Sequence, residues 1–352
     1  MPLSHAERVV AEAFEQVLGI DRVGLDDDFF ELGGHSLTAL RAMARINADC
    51  EPALGLRAIF EAPTVEALAR LWTDGEPVDD GLGVIHPIRV TGTGRPVFLI
   101  HPIVGLSWCY TGLARHIDRG RPLYGIQTPA LTGERLPGTL DELAARYLAE
   151  IRRIQPEGPY DLLGWSLGGV IAHAVAARLE GDGDSVSSLI MLDSTARPQR
   201  SPAGAAALTG ADLLMGLGIE ADADTELGIV VPTSVEELAA EVARLVPALP
   251  ADRVRTLVDA AQHNSALLHA HTPPRFSGDV LLFTATDGDS AAAVADSWSD
   301  FVTGTMENHD VECTHWQMCG SPALEMIGPV IGDHLRRAAT ARRGAGRWDT
   351  GE

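Results

Sequence analysis

The chain has 352 residues, which suggests two domains or one large one, and its formal net charge is −22. This charge argues against nucleic-acid binding, because phosphate contacts need clustered cations. All 27 basic residues are arginine, which excludes a P-loop lysine, a Schiff-base lysine and a Ser–Lys dyad. No run of about 18 apolar residues is present, so we expect no membrane-spanning helix.

The N-terminal residues contain neither a basic segment nor an apolar signal core, so a cytoplasmic protein is expected. The cysteines are scattered, and the two nearest in sequence have a spacing that fits no common zinc site. We therefore predict reduced thiols and no metal centre. The cysteines are Cys50, Cys109, Cys313 and Cys319.

The first 73 residues predict a small bundle of four helices. The first helix covers residues 4–18, where apolar residues recur at helical spacing and Ser4 with Glu7 can form a capping box. The other three are predicted at residues 36–46, 56–60 and 63–71. A linker rich in glycine, proline and acidic residues follows at 74–83, and this composition predicts a flexible tether.

Ser36 lies at the start of the second predicted helix, directly after Gly33, Gly34 and His35. Free backbone N–H groups at a helix start favour an anion such as a phosphodiester. The commonest use of such a serine is as a simple N-cap, however, and the residues alone favour that interpretation.

The string DFFELGGHSL at residues 28–37 resembles the phosphopantetheine attachment motif of peptidyl carrier proteins in nonribosomal peptide synthetases. The resemblance implies that a phosphopantetheinyl transferase uses coenzyme A to attach 4′-phosphopantetheine covalently to Ser36. It also implies that a growing peptide is held there as a thioester.

From residue 84 the pattern changes to strands that alternate with helices, which predicts a mostly parallel α/β sheet. Pro87 places the first strand at a sheet edge. Residues 197–275 interrupt the alternation with helices alone and predict a helical lid, including helices at 211–217, 235–245 and 251–270. The strands are predicted at 84–90, 96–100, 122–126, 160–163, 188–193, 278–285 and 310–313, with a closing helix at 326–337 and a tail at 341–352.

The string GWSLGG at residues 164–169 stands between a predicted strand and a predicted helix. This is the context of a nucleophile elbow, in which Ser166 is exposed above the sheet. The alternative is a glycine-rich turn with a capping serine, but the flanking strand and helix favour the nucleophile. The backbone N–H of Leu167 would form half of an oxyanion hole, and the loop at 101–105 would supply Ile103 for the other half.

A serine nucleophile needs a base, and His315 is the best candidate because it follows the last predicted strand. His309 precedes that strand and would lie at the opposite edge of the sheet. The acid is either Asp193, which ends an unbroken apolar strand, or Asp287. We prefer Asp193, although an aspartate in a turn is most often solvated or a cap. The other histidines considered and set aside are His173, His263, His269, His271 and His334.

Residues 84–340 resemble the type I thioesterase domains that end nonribosomal peptide synthetases. The resemblance rests on His101-Pro102 with Gly105, the string at 164–169, Leu192-Asp193, Trp298 and His315. It implies an α/β-hydrolase fold with a lid, and an acid after the strand before the lid, which supports Asp193. Two departures concern Thr314, where glycine or proline is frequent, and Val104-Gly105-Leu106, which replaces a double glycine.

The sequence therefore predicts a small four-helix carrier bundle followed by an α/β-hydrolase domain with a helical lid. We expect the chain to be a terminal fragment of a longer synthetase, downstream of condensation and adenylation domains. Its thioesterase would transfer a carrier-bound peptidyl group to Ser166 and release it by hydrolysis or macrocyclisation. The alternatives are an iterative thioesterase that oligomerises and then cyclises its substrate, and a non-catalytic carrier scaffold with an inactive hydrolase domain.

Overall fold

The computed structural model describes residues 3–34, 36–50, 54–55, 58–74, 81–196, 236–237, 240, 251–287 and 291–345. Its N-terminal part consists of α1 (His5–Leu18), α2 (Ser36–Asp49), α3 (Ala58–Glu61) and α4 (Val65–Asp74). The predicted capping box is present at the start of α1, where the Ser4 hydroxyl accepts from the Glu7 amide and the Glu7 carboxylate accepts from the Ser4 amide. The amphipathic pattern of α1 is explained by Val10 and Phe14, which are fully buried in the bundle core.

The remaining residues build a seven-stranded sheet in the order β1-β3-β2-β4-β5-β6-β7. Only β1 runs antiparallel to its neighbour, and it lies at the edge, as Pro87 predicted. The strands are β1 (Ile85–Arg89), β2 (Val97–Ile100), β3 (Leu123–Ile126), β4 (Tyr160–Trp165), β5 (Val186–Leu192), β6 (Val280–Ala285) and β7 (Met306–Val311).

Helices cover both faces of this sheet, and this explains why the central strands are apolar on both sides. On β4, Leu162 faces one apolar cluster with Tyr147 and Val170, whereas Leu163 faces a second cluster with Tyr110 and Leu324. The helices are α5 (Leu140–Ile154), α6 (Leu167–Gly181), α7 (Ala251–Ala270), α8 (Ala291–Asp296) and α9 (Ser321–Ala345), with 3₁₀ helices at Trp108–Arg115, Pro129–Thr132 and His315–Gln317.

Some predicted boundaries were wrong. The last strand covers Met306–Val311 and not 310–313, so His309 lies within β7 and stacks on Phe283 instead of preceding the strand. The closing helix α9 is longer than predicted at both ends and contains Pro329. Of the three predicted lid helices, 251–270 is present as α7, whereas 211–217 and most of 235–245 lie outside the described residues.

The apolar core of the N-terminal helices continues into the sheet domain. Val104, Leu106 and Trp108, from the segment after β2, lie in the same buried cluster as Val10 and Phe14 of α1. The two parts of the chain thus share apolar packing around the loop that follows β2.

A charged contact lies near this shared apolar packing. Arg119, in the turn before β3, forms an ion pair with Glu31 in the loop before α2. Burial raises the pKa of the neighbouring Asp28, and the charge of Arg119 opposes that shift. No helix within the described ranges is both long and apolar enough to cross a membrane.

Candidate active site

Ser166 occupies the turn between β4 and α6, and its backbone is strained with φ of +57°. The turn is tight: a Cβ at Gly164 would lie 2.1 Å from the backbone of Gly168. A Cβ at Gly168 would lie 2.2 Å from the carbonyl oxygen of Ile100. Glycine is therefore required at both flanking positions, which is why the elbow has the pattern G-x-S-x-G.

His315 begins the 3₁₀ helix after β7, and its Nε2 lies 3.0 Å from Ser166 Oγ. Thr314 and Gln317 form a capping box that holds this turn, so Thr314 has a structural use of its own. The imidazole packs between Trp165 and Trp316, with ring centroids 5.6 and 5.3 Å away.

Asp193 follows β5 directly, and its Oδ2 lies 2.6 Å from His315 Nδ1. Its other oxygen accepts from the Ala285 amide at 3.1 Å, so the carboxylate is held from two sides. Its backbone is also strained, with φ of +41°. Trp298 is fully buried and donates from Nε1 to the Ser194 carbonyl at 2.7 Å, which fixes the turn after the acid.

Asp287, the other candidate acid, has its amide bonded to the Cys313 carbonyl, and in the described part of the chain its side chain makes no hydrogen bond to His315. Two of the other histidines have different partners: His309 pairs with Glu307 and His263 with the Pro137 carbonyl. His173 is buried on α6 against Trp298. Of these candidates, the geometry brings together Ser166, His315 and Asp193.

The loop after β2 contains the predicted oxyanion donor Ile103. A Cβ at Gly168 would also lie 2.7 Å from the His101 carbonyl oxygen, so this loop directly abuts the start of α6, where Leu167 lies. Neither the Ile103 amide nor the Leu167 amide donates a hydrogen bond to any acceptor within the described ranges. Their use as oxyanion donors stays a prediction.

Tyr110 is a supporting residue that no sequence motif indicates. Its buried hydroxyl donates to the Ile100 carbonyl at 2.6 Å and accepts from the Trp165 amide at 2.7 Å. It therefore ties the end of β2 to the residue before Ser166. A tyrosine 55 residues before its partner leaves no local pattern by which it can be found.

Ser36 is the first residue of α2, and the structure describes its backbone but not its side chain. The preceding loop is shaped by Gly33, at φ of +99°, and by Gly34, where a Cβ would lie 2.3 Å from the Phe29 ring. Phe29 itself is fully buried. The first-turn amides of a fourteen-residue helix suit a phosphodiester, so this position fits a 4′-phosphopantetheine group.

A serine, a histidine and an aspartate in hydrogen-bonded series at the carboxyl edge of a parallel sheet define a serine hydrolase with the α/β-hydrolase fold. Residues 95–329 match the family model described as a thioesterase domain, and residues 8–72 match that of the phosphopantetheine attachment site. The chain belongs to the thioesterase domain family, with a carrier domain ahead of the enzyme. The fold class predicted from the sequence is confirmed, and the enzyme is a thioesterase.

Among curated proteins, the chain is 36% identical over 337 residues to a dimodular nonribosomal peptide synthase of Bacillus subtilis (strain 168), covering 94% of this chain and 14% of that protein. It is 34% identical over 355 residues to malpinin synthetase of Mortierella alpina, and the match covers 96% of this chain and 4% of that protein. Among solved structures, it resembles a holo four-domain nonribosomal peptide synthetase bound to AMP and glycine, at 27% identity and a TM-score of 0.63. The match covers 95% of this chain and 26% of that structure's chain. The chain therefore spans only a small part of these three proteins.

Proposed function

We propose that this chain is the terminal carrier–thioesterase didomain of a nonribosomal peptide synthetase. It transfers a carrier-bound peptidyl group to Ser166 and releases the product by hydrolysis or macrocyclisation. The observation that carries the proposal is the hydrogen-bonded series of Ser166, His315 and Asp193 in a chain that also matches a phosphopantetheine attachment domain. The proposed division is a carrier at 1–73, a linker at 74–83, a thioesterase at 84–340 with its lid within 197–275, and a tail at 341–352.

Ser36 is the proposed attachment residue for 4′-phosphopantetheine. When attached, this group supplies the thiol that holds the peptide as a thioester. The start of α2 receives its phosphodiester, because the first-turn amides of a helix have no intrahelical acceptors. The loop before this helix start requires glycine at two positions, because Gly33 has φ of +99° and a Cβ at Gly34 would lie 2.3 Å from the Phe29 ring.

Acyl transfer begins when Ser166 Oγ attacks the thioester carbonyl carbon and His315 Nε2 takes the hydroxyl proton across the 3.0 Å contact. Asp193 accepts from His315 Nδ1 and stabilises the imidazolium that forms. The amides of Ile103 and Leu167 donate to the developing oxyanion. The C–S bond then breaks, His315 returns its proton to the departing sulfur, and the peptidyl group remains as an ester on Ser166.

Release repeats these proton transfers with a new nucleophile. Water, or an amine or hydroxyl of the peptide itself, attacks the ester carbonyl while His315 Nε2 takes its proton. The C–O bond to Ser166 breaks, and His315 gives the proton back to Oγ. Water yields a free acid, whereas an internal amine or hydroxyl yields a macrolactam or a macrolactone.

The proposed partners follow from the carrier. Upstream condensation and adenylation domains build the peptide, and a phosphopantetheinyl transferase modifies Ser36 with coenzyme A in the cytoplasm. The match to synthetases of which this chain spans only a small part supports the upstream domains. Tethering the carrier to the thioesterase raises its effective concentration at Ser166.

The test loads the whole chain with a peptidyl-coenzyme A through a phosphopantetheinyl transferase and follows release by mass spectrometry. Ser166→Ala should load normally and release no product, whereas Ser36→Ala should show no mass increase on loading. Ser299→Ala, at an exposed serine, is the matched control for both variants. Release by Ser166→Ala at the wild-type rate contradicts the catalytic assignment, and loading of Ser36→Ala contradicts the carrier assignment.

A further inference from the structure

His101 lies at the end of β2, at the start of the loop that carries Ile103, and it is fully buried. Its Nδ1 lies 2.6 Å from the carbonyl oxygen of Pro102 and its Nε2 lies 2.5 Å from the hydroxyl of Tyr147 on α5. None of the catalytic steps uses this imidazole. Its two contacts are also the shortest polar contacts that the loop at 101–105 makes with described residues.

The protonation of His101 follows from its surroundings. Burial lowers the pKa of His101 to about 4, so the ring is neutral at neutral pH and carries one N–H. The Pro102 carbonyl can only accept, so the proton is on Nδ1. Nε2 therefore accepts from the hydroxyl of Tyr147, whose pKa is raised by burial so that it stays protonated.

The hydrogen bond from His101 fixes the Pro102–Ile103 peptide. In a trans peptide the C=O and N–H point in opposite directions. The Pro102 carbonyl is held on one side by His101 Nδ1 and by the Gly105 amide at 3.0 Å. The Ile103 N–H consequently points away from these groups, and it has no acceptor within the described residues.

The Ile103–Val104 peptide is held by α7, the helix of the predicted lid that the structure describes in full. Asn264 on α7 is 1% exposed and donates from Nδ2 to the Ile103 carbonyl at 3.1 Å. His263, the preceding residue, donates to the Pro137 carbonyl at 2.7 Å and anchors α7 to the loop before α5. Both peptide planes that flank Ile103 are thus fixed, and its backbone dihedrals cannot turn without breaking one of these bonds.

We propose that His101 and Asn264 are positioning residues that hold the Ile103 N–H in the orientation needed for the oxyanion hole. This inference rests on the proposed function, in which the Ile103 amide stabilises the oxyanion. It also links α7 to the reaction, because the orientation of the donor depends on a hydrogen bond from that helix. Neither residue touches the reacting atoms.

The test uses Asn264→Leu and His101→Phe in the full chain, with p-nitrophenyl butyrate as substrate and a trifluoromethyl ketone of the same acyl chain as inhibitor. The ketone forms a tetrahedral adduct with Ser166 whose oxygen needs the same donors as the transition state. We expect kcat to fall about 10- to 100-fold, because complete loss of an oxyanion donor costs about 100- to 1,000-fold. KM should change less than about twofold, and the ketone Ki should rise by the same factor as kcat falls.

Gln262→Leu is the matched control, because Gln262 is an exposed amide two residues before Asn264 on the same helix. It should keep wild-type kcat and Ki. If His101→Phe does not fold, the double variant His101→Phe, Tyr147→Phe removes the orphaned hydroxyl, and Asn264→Leu tests the proposal independently.

Wild-type kcat and Ki in Asn264→Leu overturn the proposal, as does a rise in KM without a change in Ki. Such results leave the proposed function intact as long as Ser166→Ala is inactive. Activity in Ser166→Ala overturns the proposed function instead, so the two failures are distinguishable.

Discussion

The buried side chain of His173 makes the stability of the chain depend on pH. It lies fully buried on α6, and its ring centroid is 4.7 Å from that of Trp298. Burial lowers its pKa from 6.5 to about 4, although the backbone of Phe301 opposes the shift. We predict that His173→Phe reduces the loss of stability on acidification.

The direction of the pH dependence follows from the number of protons that the folded and unfolded chains bind. Between pH 4 and pH 6.5 the unfolded chain holds a proton on His173 that the folded chain does not, so the free energy of unfolding rises with pH in this window. Stability is therefore lost as the pH falls through 6.5 towards 4. With these two pKa values, His173 destabilises the folded chain by about 2 kcal/mol at about pH 5 and by nothing measurable at about pH 8.

Burial also lowers the pKa values of other histidines, so His173→Phe should remove only part of the loss of stability on acidification; these histidines are His101, His116, His271 and His334. The assay is urea unfolding of the wild type and the variant at about pH 5 and about pH 8. A change in packing caused by the larger ring is the same at both pH values and cancels in the difference. His269→Phe, at an exposed imidazole on α7, controls for the loss of a histidine as such. An equal pH 5 to pH 8 difference in wild type and His173→Phe refutes the reasoning.

Three further predictions concern the site and its contacts. Asp193→Asn should lower kcat by up to about 10,000-fold with KM nearly unchanged, because the imidazolium of His315 loses its carboxylate partner. Steady-state ester hydrolysis measures both constants, and a near-wild-type kcat contradicts the prediction. Arg119→Glu should slow release from the loaded carrier a few-fold, because the new carboxylate repels Glu31 and an exposed ion pair contributes about 1 kcal/mol or less. The rate of hydrolysis of a free ester should not change, and Arg135→Glu, also at an exposed arginine, is the control. Gly168→Ala should destabilise the fold by several kcal/mol, because the new Cβ would lie 2.2 Å from the Ile100 carbonyl oxygen and neither the end of β2 nor the start of α6 can move freely. Thermal unfolding measures this loss, and an unchanged melting temperature would show that there is no clash.

The features that can be predicted from the sequence are those with a local pattern. The elbow needs glycine on both sides of Ser166, and these glycines are visible in the sequence. Asp193 and His315 are also visible because each follows a strand at the same edge of a parallel sheet. In a parallel α/β sheet, topology converts these separate positions into a single site.

The elements that the sequence predicted poorly lack such a pattern. β7 reads Met306-Glu307-Asn308-His309-Asp310-Val311, and most of its residues are exposed or partly exposed, so no apolar alternation indicates where it begins. The bonds made by Tyr110 and Asn264 join residues 55 and 161 positions apart. Contacts of this kind are set by tertiary packing, and a single sequence contains no spacing that reveals them.

Ile103 contacts both the carrier core and α7, a helix of the predicted lid, and it is a proposed donor to the oxyanion. Its side chain packs against the apolar cluster that includes the carrier core, and its carbonyl is held by Asn264. Leu257 of α7 belongs to that same cluster and approaches Gly105, where a Cβ would lie 3.7 Å from its Cδ2. A shift of either the carrier or α7 would therefore change the packing around one of the two residues whose N–H groups are proposed to stabilise the oxyanion. In the proposed mechanism, the orientation of this oxyanion donor therefore depends on how the carrier and α7 pack around Ile103.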